Sequence, residues 1–325
     1  MKTTKPTKQK FSRIMSLPVI RVGTKCNARC SFCNVPSESY NLPKERDINS
    51  IKEEISDLTE KYSDVAISLS GGEPTLRKDL PEIIRFAKQQ GVRVVELQTN
   101  ATLLSREGYV KLLKKNKLNR AFVSFHSHIP AQHDRALGIK NSFEKCIKGI
   151  KNLLEAKIIV TLNPVVTAET YRHLPEYLRF VRKEFPKIKY ISLSIVQPNG
   201  RAWTNKNIVP RYGAISPYVK KALLLGKKLN FTIMNPYCGL PLCIGDWWKY
   251  PVQCMEISEK SFADHQNKII ETKIFSADGK TKAPQCLLCD LEKYCNGVWR
   301  NYAAIHPLSD LKPVYLSSKQ KKRFK

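Results

Sequence analysis

The sequence predicts an α/β protein in which parallel strands curl toward a full or partial barrel. Short apolar segments alternate with amphipathic helical patterns through most of the chain, giving six β-α repeats. Such repeats favour a parallel sheet with helices outside it, and right-handed crossovers turn that sheet toward a barrel. The composition agrees, because 42% apolar and 26% charged residues are ordinary for a globular protein.

The predicted elements follow one another in a regular order. Runs of apolar residues predict strands at 18–22, 65–70, 92–98, 120–125, 158–165 and 190–196. Patterns with one apolar face predict helices at 47–62, 80–90, 105–115, 142–156, 173–185 and 217–229. A short strand at 231–234 follows the last helix. Since chemistry in such barrels lies at the carboxyl ends of the strands, the loops after the strands are where functional residues are expected.

The chain divides into four predicted segments. A basic arm spans 1–16, the barrel spans 17–230, a small metal-organised module spans 231–311, and a basic tail spans 312–325. The module begins where the β-α pattern stops and Pro, Gly, Cys and Trp become frequent. Within it, 269–275 followed by Asp278-Gly279 predicts a β-hairpin, because Asp-Gly favours the positive φ angles of a tight turn.

The sequence argues against membrane and secreted proteins. No run of eighteen apolar residues occurs, so no membrane span is predicted. No apolar segment follows the basic arm, so the reducing cytoplasm is the expected compartment. Ten cysteines there are expected to bind metal or carry out redox chemistry. Cys146 is the exception, because it borders the apolar stripe of a predicted helix and is expected to pack there.

Three cysteines follow the first predicted strand. Cys26, Cys30 and Cys33 have the spacing C-x3-C-x2-C, so the barrel prediction places them at the mouth. Three thiolates can hold a [4Fe–4S] cluster by three corners and leave one iron open. The alternative is a zinc site that takes a fourth ligand from elsewhere in the chain.

With Phe32 and the loop Gly71-Gly72-Glu73-Pro74, this motif resembles the radical S-adenosylmethionine (SAM) superfamily over about residues 17–200. The resemblance implies a partial (β/α)6 barrel of the TIM type, in which the amino and carboxylate groups of SAM bind the open iron. One electron from the reduced cluster would cleave SAM to methionine and a 5′-deoxyadenosyl radical, which abstracts a substrate hydrogen. No catalytic residue beyond the cluster is assigned.

The candidate SAM contacts lie at the predicted strand ends. Glycines there allow a backbone to approach a ligand closely. The resemblance implies that the loop of Glu73 holds the amino group of SAM. The full set is Gly71, Gly72, Glu73, Thr99, Asn100, Ser124, Asn163 and Val196. The alternative is that each residue only ends its strand. The histidines of the 125–134 stretch are interpreted as organising a loop.

The remaining cysteines lie in the C-terminal module. Cys286, Cys289 and Cys295 have the spacing C-x2-C-x5-C, which resembles the SPASM and twitch modules of some radical SAM proteins. That resemblance implies an auxiliary [4Fe–4S] cluster, with Cys238 as the predicted fourth ligand. Cys243 and Cys254 are possible additional ligands. Trp299 stands where the fuller SPASM pattern has a cysteine, which argues against two complete auxiliary clusters, and a zinc site is the alternative.

The net charge of +28 lies mostly on the body of the chain rather than on its two basic termini. It favours an acidic electron donor such as a flavodoxin or ferredoxin, and a peptide, RNA or anionic small molecule as substrate. The main hypothesis is radical modification of a peptide or protein side chain by crosslinking, epimerisation or oxidation. Modification of tRNA or a small metabolite is one alternative. A non-catalytic zinc protein that binds nucleic acid is the other.

Overall fold

A computed structural model describes residues 17–35, 42–62, 64–257 and 279–324. Its main sheet has seven parallel strands in the order β1-β2-β3-β4-β5-β7-β9. The strands of the barrel region are Val19–Arg21 (β1), Ala66–Ser70 (β2), Val94–Thr99 (β3), Arg120–Val123 (β4), Ile159–Leu162 (β5), Val165–Val166 (β6), Tyr190–Ser192 (β7), Ser194–Ile195 (β8) and Thr232–Met234 (β9). β1 and β9 form the two edges, so the described sheet is an open partial barrel and the predicted fold class is confirmed.

Helices connect the strands and cover one face of the sheet. They are Ile48–Lys61 (α1), Leu80–Gln89 (α2), Glu107–Lys115 (α3), Pro130–Leu137 (α4), Ser142–Glu155 (α5), Leu174–Glu184 (α6), Arg201–Thr204 (α7) and Tyr212–Lys228 (α8). The apolar faces of these helices pack on alternate strand residues such as Ile67 and Leu69, which are fully buried. Cys146 is buried among them. Burial of these faces, rather than local propensity, supplies most of the stability of such helices.

Two differences from the predicted elements have local causes. The fifth and sixth predicted strands are each interrupted, so that β6 and β8 pair with each other in a separate two-stranded parallel sheet. The last barrel helix begins at Tyr212 and carries Pro217 inside it, whereas the sequence predicted a start at Pro217. Proline removes one helix hydrogen bond, and here the tyrosine end of the helix is buried against the C-terminal residues.

Residues 279–324 form a small irregular unit, called the C-terminal unit below. Its strands Lys280–Thr281 (β10) and Val298–Trp299 (β11) pair antiparallel, and two short helices, Arg300–Ala303 (α9) and Ser318–Lys321 (α10), follow. The predicted hairpin falls on 269–279, of which only Gly279 lies within the described residues. The main sheet continues through β9, beyond residue 230, and the division of the chain into domains stays a prediction. Within the described residues, no helix is long and apolar enough to cross a membrane.

Candidate functional site

The three-cysteine loop follows β1 and is held by backbone hydrogen bonds to α4. Arg29 N donates to Leu137 O at 2.8 Å and Ser31 N donates to Ala136 O at 3.3 Å. Cys26 is exposed, and Cys30 is half-buried. The loop therefore lies at the carboxyl edge of the parallel sheet, as the sequence predicted.

The thiols of this loop lie close enough to influence one another. Burial raises the pKa of Cys26 to about 11 and that of Cys30 to about 12, and the neighbouring thiols, with Cys33 acting on both, add to the shift. Among the residues that the structure describes, no three Cys, His, Asp or Glu side chains converge to hold a single metal ion. Each thiolate of a [4Fe–4S] cube binds a different iron, so three neighbouring thiols can hold such a cluster by three corners.

The glycines after β2 are required by the close approach of two backbones. A Cβ on Gly71 would lie 2.2 Å from the carbonyl oxygen of Gly23, and a Cβ on Gly72 would lie 2.1 Å from that of Lys25. Gly72 N donates to Gly23 O at 2.9 Å, and Glu73 N donates to Lys25 O at 2.8 Å. These contacts fix the Gly-Gly-Glu-Pro loop against the residues that directly precede Cys26.

The carboxylate of Glu73 is buried and joins the ends of β2 and β3. Its Oε1 accepts from Thr75 N, Thr75 Oγ1 and Thr99 Oγ1 at 3.1, 2.5 and 2.7 Å, and its Oε2 accepts from Asn100 N at 2.7 Å. Burial raises the pKa of Glu73, although these four donors favour the ionised form. Three predicted SAM contacts, Glu73, Thr99 and Asn100, are thus brought together in one hydrogen-bond network.

Asn27 extends this network into the cysteine loop. Its Oδ1 accepts from Asn100 Nδ2 at 2.9 Å, and its Nδ2 donates to Thr102 Oγ1 at 3.0 Å. Asn27, Thr75 and Thr102 were not among the site residues predicted from the sequence. Asn27 lies inside the cysteine motif, but an exposed asparagine gives no sequence signal for its partner more than seventy residues away.

The other predicted SAM contacts lie further along the same edge. Ser124 N donates to Thr99 O and Asn163 N donates to Val123 O, which keeps their strand ends in register. Asn163 Oδ1 accepts from Ser194 Oγ at 2.6 Å. The side chain of Val196 is 2% exposed, so a contact to a ligand there would come from its backbone.

The sheet face opposite the helices is polar near this edge. Ser68 Oγ donates to Glu96 Oε1 at 3.1 Å, and Ser70 Oγ donates to Gln98 Oε1 at 2.7 Å. Burial raises the pKa of Glu96, while Ser68 and Arg120 partly oppose the shift. A polar interior of this kind suits a ligand with hydroxyl and charged groups.

The predicted His-Asp loop after β4 proves to be largely the helix α4. Asp134 accepts hydrogen bonds from Asn141 N, Ser142 Oγ and Phe143 N at 2.6 to 2.8 Å, which ties α4 to the start of α5. His133 is fully buried and its Nδ1 accepts from His126 N at 3.3 Å. These side chains organise the structure, in agreement with their interpretation, although the helix itself was not predicted.

Comparison with known proteins identifies the family. The sequence profile of the radical SAM superfamily matches residues 20–181, which contain the three cysteines and the Gly-Gly-Glu-Pro loop. The chain belongs to the radical SAM superfamily. Proteins of this family use a [4Fe–4S] cluster and SAM, and the donor set described above fits both groups.

Two curated radical SAM relatives and one solved structure illustrate the similarity. The chain is 34% identical over 170 residues to Fe-coproporphyrin III synthase of Methanosarcina barkeri, covering 52% of this chain and 42% of the relative. It is 33% identical over 188 residues to GTP 3′,8-cyclase of Aquifex aeolicus, covering 53% of this chain and 58% of the relative. The chain thus spans about half the length of these relatives. The structure of anSMEcpe with bound AdoMet and Kp18Cys peptide has a TM-score of 0.64 at 15% identity, with 95% of each chain covered. At this identity the likeness concerns the fold.

The second group of thiols in this radical SAM chain lies around a cavity between residues 241–243 and the C-terminal unit. Cys243, Cys286, Cys289 and Cys295 line it together with Lys282. Burial raises the pKa of Cys243 to about 12, and the other three thiols add to that shift. Cys289 Sγ also accepts from Val314 N at 3.3 Å. Four neighbouring thiols are a complete ligand set for one [4Fe–4S] cluster.

This arrangement differs from the predicted ligand set, which named Cys238 as the fourth ligand. Cys238 O accepts from Ile195 N at 3.0 Å, so residue 238 is attached to β8. Its Sγ donates to Ser194 Oγ at 3.2 Å, and it does not line the cavity. Cys254 is fully buried with its Sγ 3.5 Å from Tyr250 O, and it lies outside the cavity as well. The structure therefore gathers Cys243, not Cys238, with the three C-terminal thiols.

Proposed function

We propose that this chain is a radical SAM enzyme in which Cys26, Cys30 and Cys33 hold a [4Fe–4S] cluster. The observation that carries the proposal is the fixed contact between the three-cysteine loop and the Gly-Gly-Glu-Pro loop. When bound, the cluster and SAM supply one-electron cleavage of SAM to a 5′-deoxyadenosyl radical that abstracts a substrate hydrogen atom. The chain's own part is to hold the two loops in register and to present polar groups beside them.

The SAM contacts that we propose are the predicted ones. Glu73 Oε2 accepts one hydrogen bond within the described residues, so it has acceptor capacity for the amino group of SAM. The other proposed contacts lie at strand ends of the main sheet, except the backbone of Val196, which follows β8 of the two-stranded sheet. They are the Gly71-Gly72 backbone, Thr99, Asn100, Ser124 and Asn163. Short polar side chains there suit ribose hydroxyls and a carboxylate.

We further propose an auxiliary [4Fe–4S] cluster in the C-terminal cavity, held by Cys243, Cys286, Cys289 and Cys295. The four thiols line one cavity and complete the ligand set of one such cluster. The spacing of Cys286, Cys289 and Cys295 resembles that of the SPASM and twitch modules, which favours a cluster over the zinc alternative.

The substrate that we propose is a peptide or protein side chain, which would be crosslinked, epimerised or oxidised. The fold likeness to anSMEcpe, which was solved with a peptide, covers 95% of both chains and supports this class. The net charge of +28 also favours an acidic peptide and an acidic electron donor of the flavodoxin or ferredoxin type.

An anionic small molecule is the second candidate. The named relatives at 33–34% identity are GTP 3′,8-cyclase and Fe-coproporphyrin III synthase, whose names specify small molecules. Their similarity covers about half of this chain. The polar face that carries Glu96 and Gln98 would suit either class of substrate.

The radical SAM proposal is tested with anaerobically reconstituted full-length protein. With dithionite and SAM we expect release of 5′-deoxyadenosine, which the Cys30→Ala variant should lose together with part of the iron. Cys146→Ala is the matched control, because Cys146 packs in the barrel core and should leave iron content unchanged. Zinc without sulfide in the wild-type protein, or normal 5′-deoxyadenosine release by Cys30→Ala, would contradict the proposal.

The auxiliary cluster is tested by comparing two cysteine variants. Cys243→Ser should lower the iron and sulfide content by about one cluster per chain, whereas Cys238→Ser should retain the wild-type content. Loss of one cluster in Cys238→Ser, with wild-type iron in Cys243→Ser, would instead identify Cys238 as the fourth ligand. Unchanged iron in a Cys286→Ala variant would contradict an auxiliary cluster altogether.

The substrate class is tested by coupling to SAM cleavage. Synthetic peptides from short reading frames beside the gene and, separately, GTP would be added to reduced enzyme and SAM. A mass change in a peptide that depends on Cys30 supports the first candidate. Stimulation of 5′-deoxyadenosine release by GTP with conversion of the nucleotide would support the second.

A further inference from the structure

The turn after β8 lies directly on the three-cysteine loop. Gly200 has a φ of +54°, and a Cβ at this position would stand 2.2 Å from the carbonyl oxygen of Cys33. The next residue, Arg201, donates its backbone N–H to the same oxygen at 2.9 Å. Glycine is therefore required at 200, and the turn and the loop form a fixed contact.

The side chain of Arg201 reaches a second cysteine of this loop. Its Nη1 donates to Cys30 O at 3.2 Å, and the residue is half-buried. The guanidinium also lies within electrostatic reach of the thiols of Cys26 and Cys30, where it opposes the rise in their pKa that burial causes. One cation is thus held beside two of the three proposed cluster ligands.

The same turn is fixed from the C-terminal side of the molecule. Asn301 Nδ2 donates to Asn199 Oδ1 at 2.6 Å and to Pro198 O at 3.3 Å. Arg201 therefore has its position set by contacts on both sides of the turn. A charge held in this way acts more strongly than one on a mobile surface side chain, because it stays at short range.

We propose that Arg201 is a positioning residue that secures the three-cysteine loop and favours the reduced state of the cluster held there. The inference rests on the proposed function, in which Cys26, Cys30 and Cys33 are the ligands. Three thiolates give the cluster a net negative charge, and reduction adds one more. A nearby cation therefore stabilises the reduced form more than the oxidised form, which raises the reduction potential.

The reduction potential of the reconstituted full-length protein tests this inference. It would be measured by a redox titration followed by electron paramagnetic resonance, on the signal that is absent from Cys30→Ala. Arg201→Gln should shift the midpoint to a more negative potential, and Arg201→Lys, which keeps the charge, should stay closer to wild type. Arg29→Gln is the matched control, because it removes an exposed charge from the same loop and should shift the potential less.

Each outcome decides the inference. An unshifted potential in Arg201→Gln, or an equal shift in Arg29→Gln, would overturn it. If Arg201→Gln fails to retain iron, Arg201→Lys decides: wild-type iron and a potential near wild type support the role of the charge, and loss of iron there as well overturns it. Wild-type protein that takes up no Cys30-dependent iron overturns the proposed function, and this inference with it.

Discussion

Asn27 links two parts of the proposed active site through a single side chain. It bonds to Asn100 and Thr102, and Asn100 in turn donates its backbone N–H to Glu73. A change in the cysteine loop is thereby transmitted to the end of β3. Because Asn27 lies between two proposed ligands without being one, it offers a way to loosen the loop while keeping every thiol.

We expect Asn27→Ala to release iron to a chelator several-fold faster than wild type. The variant loses two side-chain hydrogen bonds, each worth about 1 kcal/mol, and these bonds hold the loop that carries Cys26 and Cys30. Asn116→Ala at the exposed end of α3 is the control, since the Asn116 side chain donates to Leu112 O within its own helix. Equal release rates in the two variants would show that the Asn27 bridge does not secure the loop.

The buried histidines make stability depend on pH. Burial lowers the pKa of His133 from 6.5 to about 4, with Asp134 partly opposing the shift, and it also lowers that of His126. The groups around His133 are the rings of His126, Phe125 and Phe143 and the carboxylate of Asp134. Between pH 4 and pH 6.5, His133 binds more protons in the unfolded chain than in the folded one. The stability that neutral His133 contributes is therefore complete above pH 6.5 and falls as the pH decreases toward 4.

His133 alone should account for a loss of about 3 kcal/mol over that range, since each pKa unit corresponds to about 1.4 kcal/mol. Urea unfolding at a series of pH values measures it. His133→Gln removes the titrating ring while keeping an acceptor for His126 N, so its unfolding free energy should fall less steeply below pH 6.5. A variant as steep as wild type would contradict the assignment to His133.

At the scale of elements, the Gly-Gly-Glu-Pro loop is a joint between two stretches of backbone. The spacing between Gly72 and Lys25 leaves no room for a Cβ, and hydrogen bonds from Gly72 N and Glu73 N close the joint. From the sequence, these glycines were expected to let a ligand approach the backbone. The structure adds a second requirement, which holds whether or not a ligand is bound.

Gly72→Ala should therefore destabilise the protein by about 1–3 kcal/mol through overpacking, and it should also lower the iron content by pushing the cysteine loop away. Gly108→Ala is the matched control. Gly108 lies in α3, and a Cβ added there would meet no atom within 4 Å, so alanine should stabilise the helix by up to about 1 kcal/mol. Urea unfolding and iron analysis compare the two. Equal stability of the two variants would contradict the backbone joint.

Most barrel elements could be predicted because their apolar periodicity is strong. The helix α4 was missed because it has few apolar side chains. The segment with His133 and Asp134 was therefore interpreted as a loop. Two signals could have found it: Pro130 at its first position, and Gly138, which ends it with a φ of +66°. The position of Cys243, and not Cys238, at the four-thiol cavity had no such signal, because it depends on the attachment of Cys238 to β8.

At the scale of the whole molecule, specific contacts anchor the C-terminal unit on the barrel. Tyr302 stacks on Tyr212 with ring centroids 3.7 Å apart, and its hydroxyl accepts from Tyr212 N at 2.8 Å. Asp310 accepts from Gly213 N at 3.0 Å. These contacts hold the C-terminal unit against the start of α8. The unit therefore has an anchor that does not involve metal.

Within the unit itself, regular structure is sparse. Its two paired strands have two residues each, and the four cavity thiols lie beside buried apolar residues such as Leu291 and Leu311. The proposed auxiliary cluster would add to the folding free energy of this unit, because its ligands form a site only in the folded state. The seven-stranded sheet has a core of fully buried apolar residues that does not include these ligands.

Removal of iron should therefore loosen the C-terminal unit and leave the sheet intact. We expect hydrogen exchange of residues 284–299 to increase at least about tenfold in iron-free protein, while β2 to β5 retain their protection. Residues 302–311, anchored on α8 through Tyr302 and Asp310, should be affected less. The Cys243→Ser variant should reproduce the pattern in 284–299 even when the first cluster is loaded. Uniform loss of protection across the sheet, or none in 284–299, would contradict a metal-dependent unit joined to a metal-independent barrel.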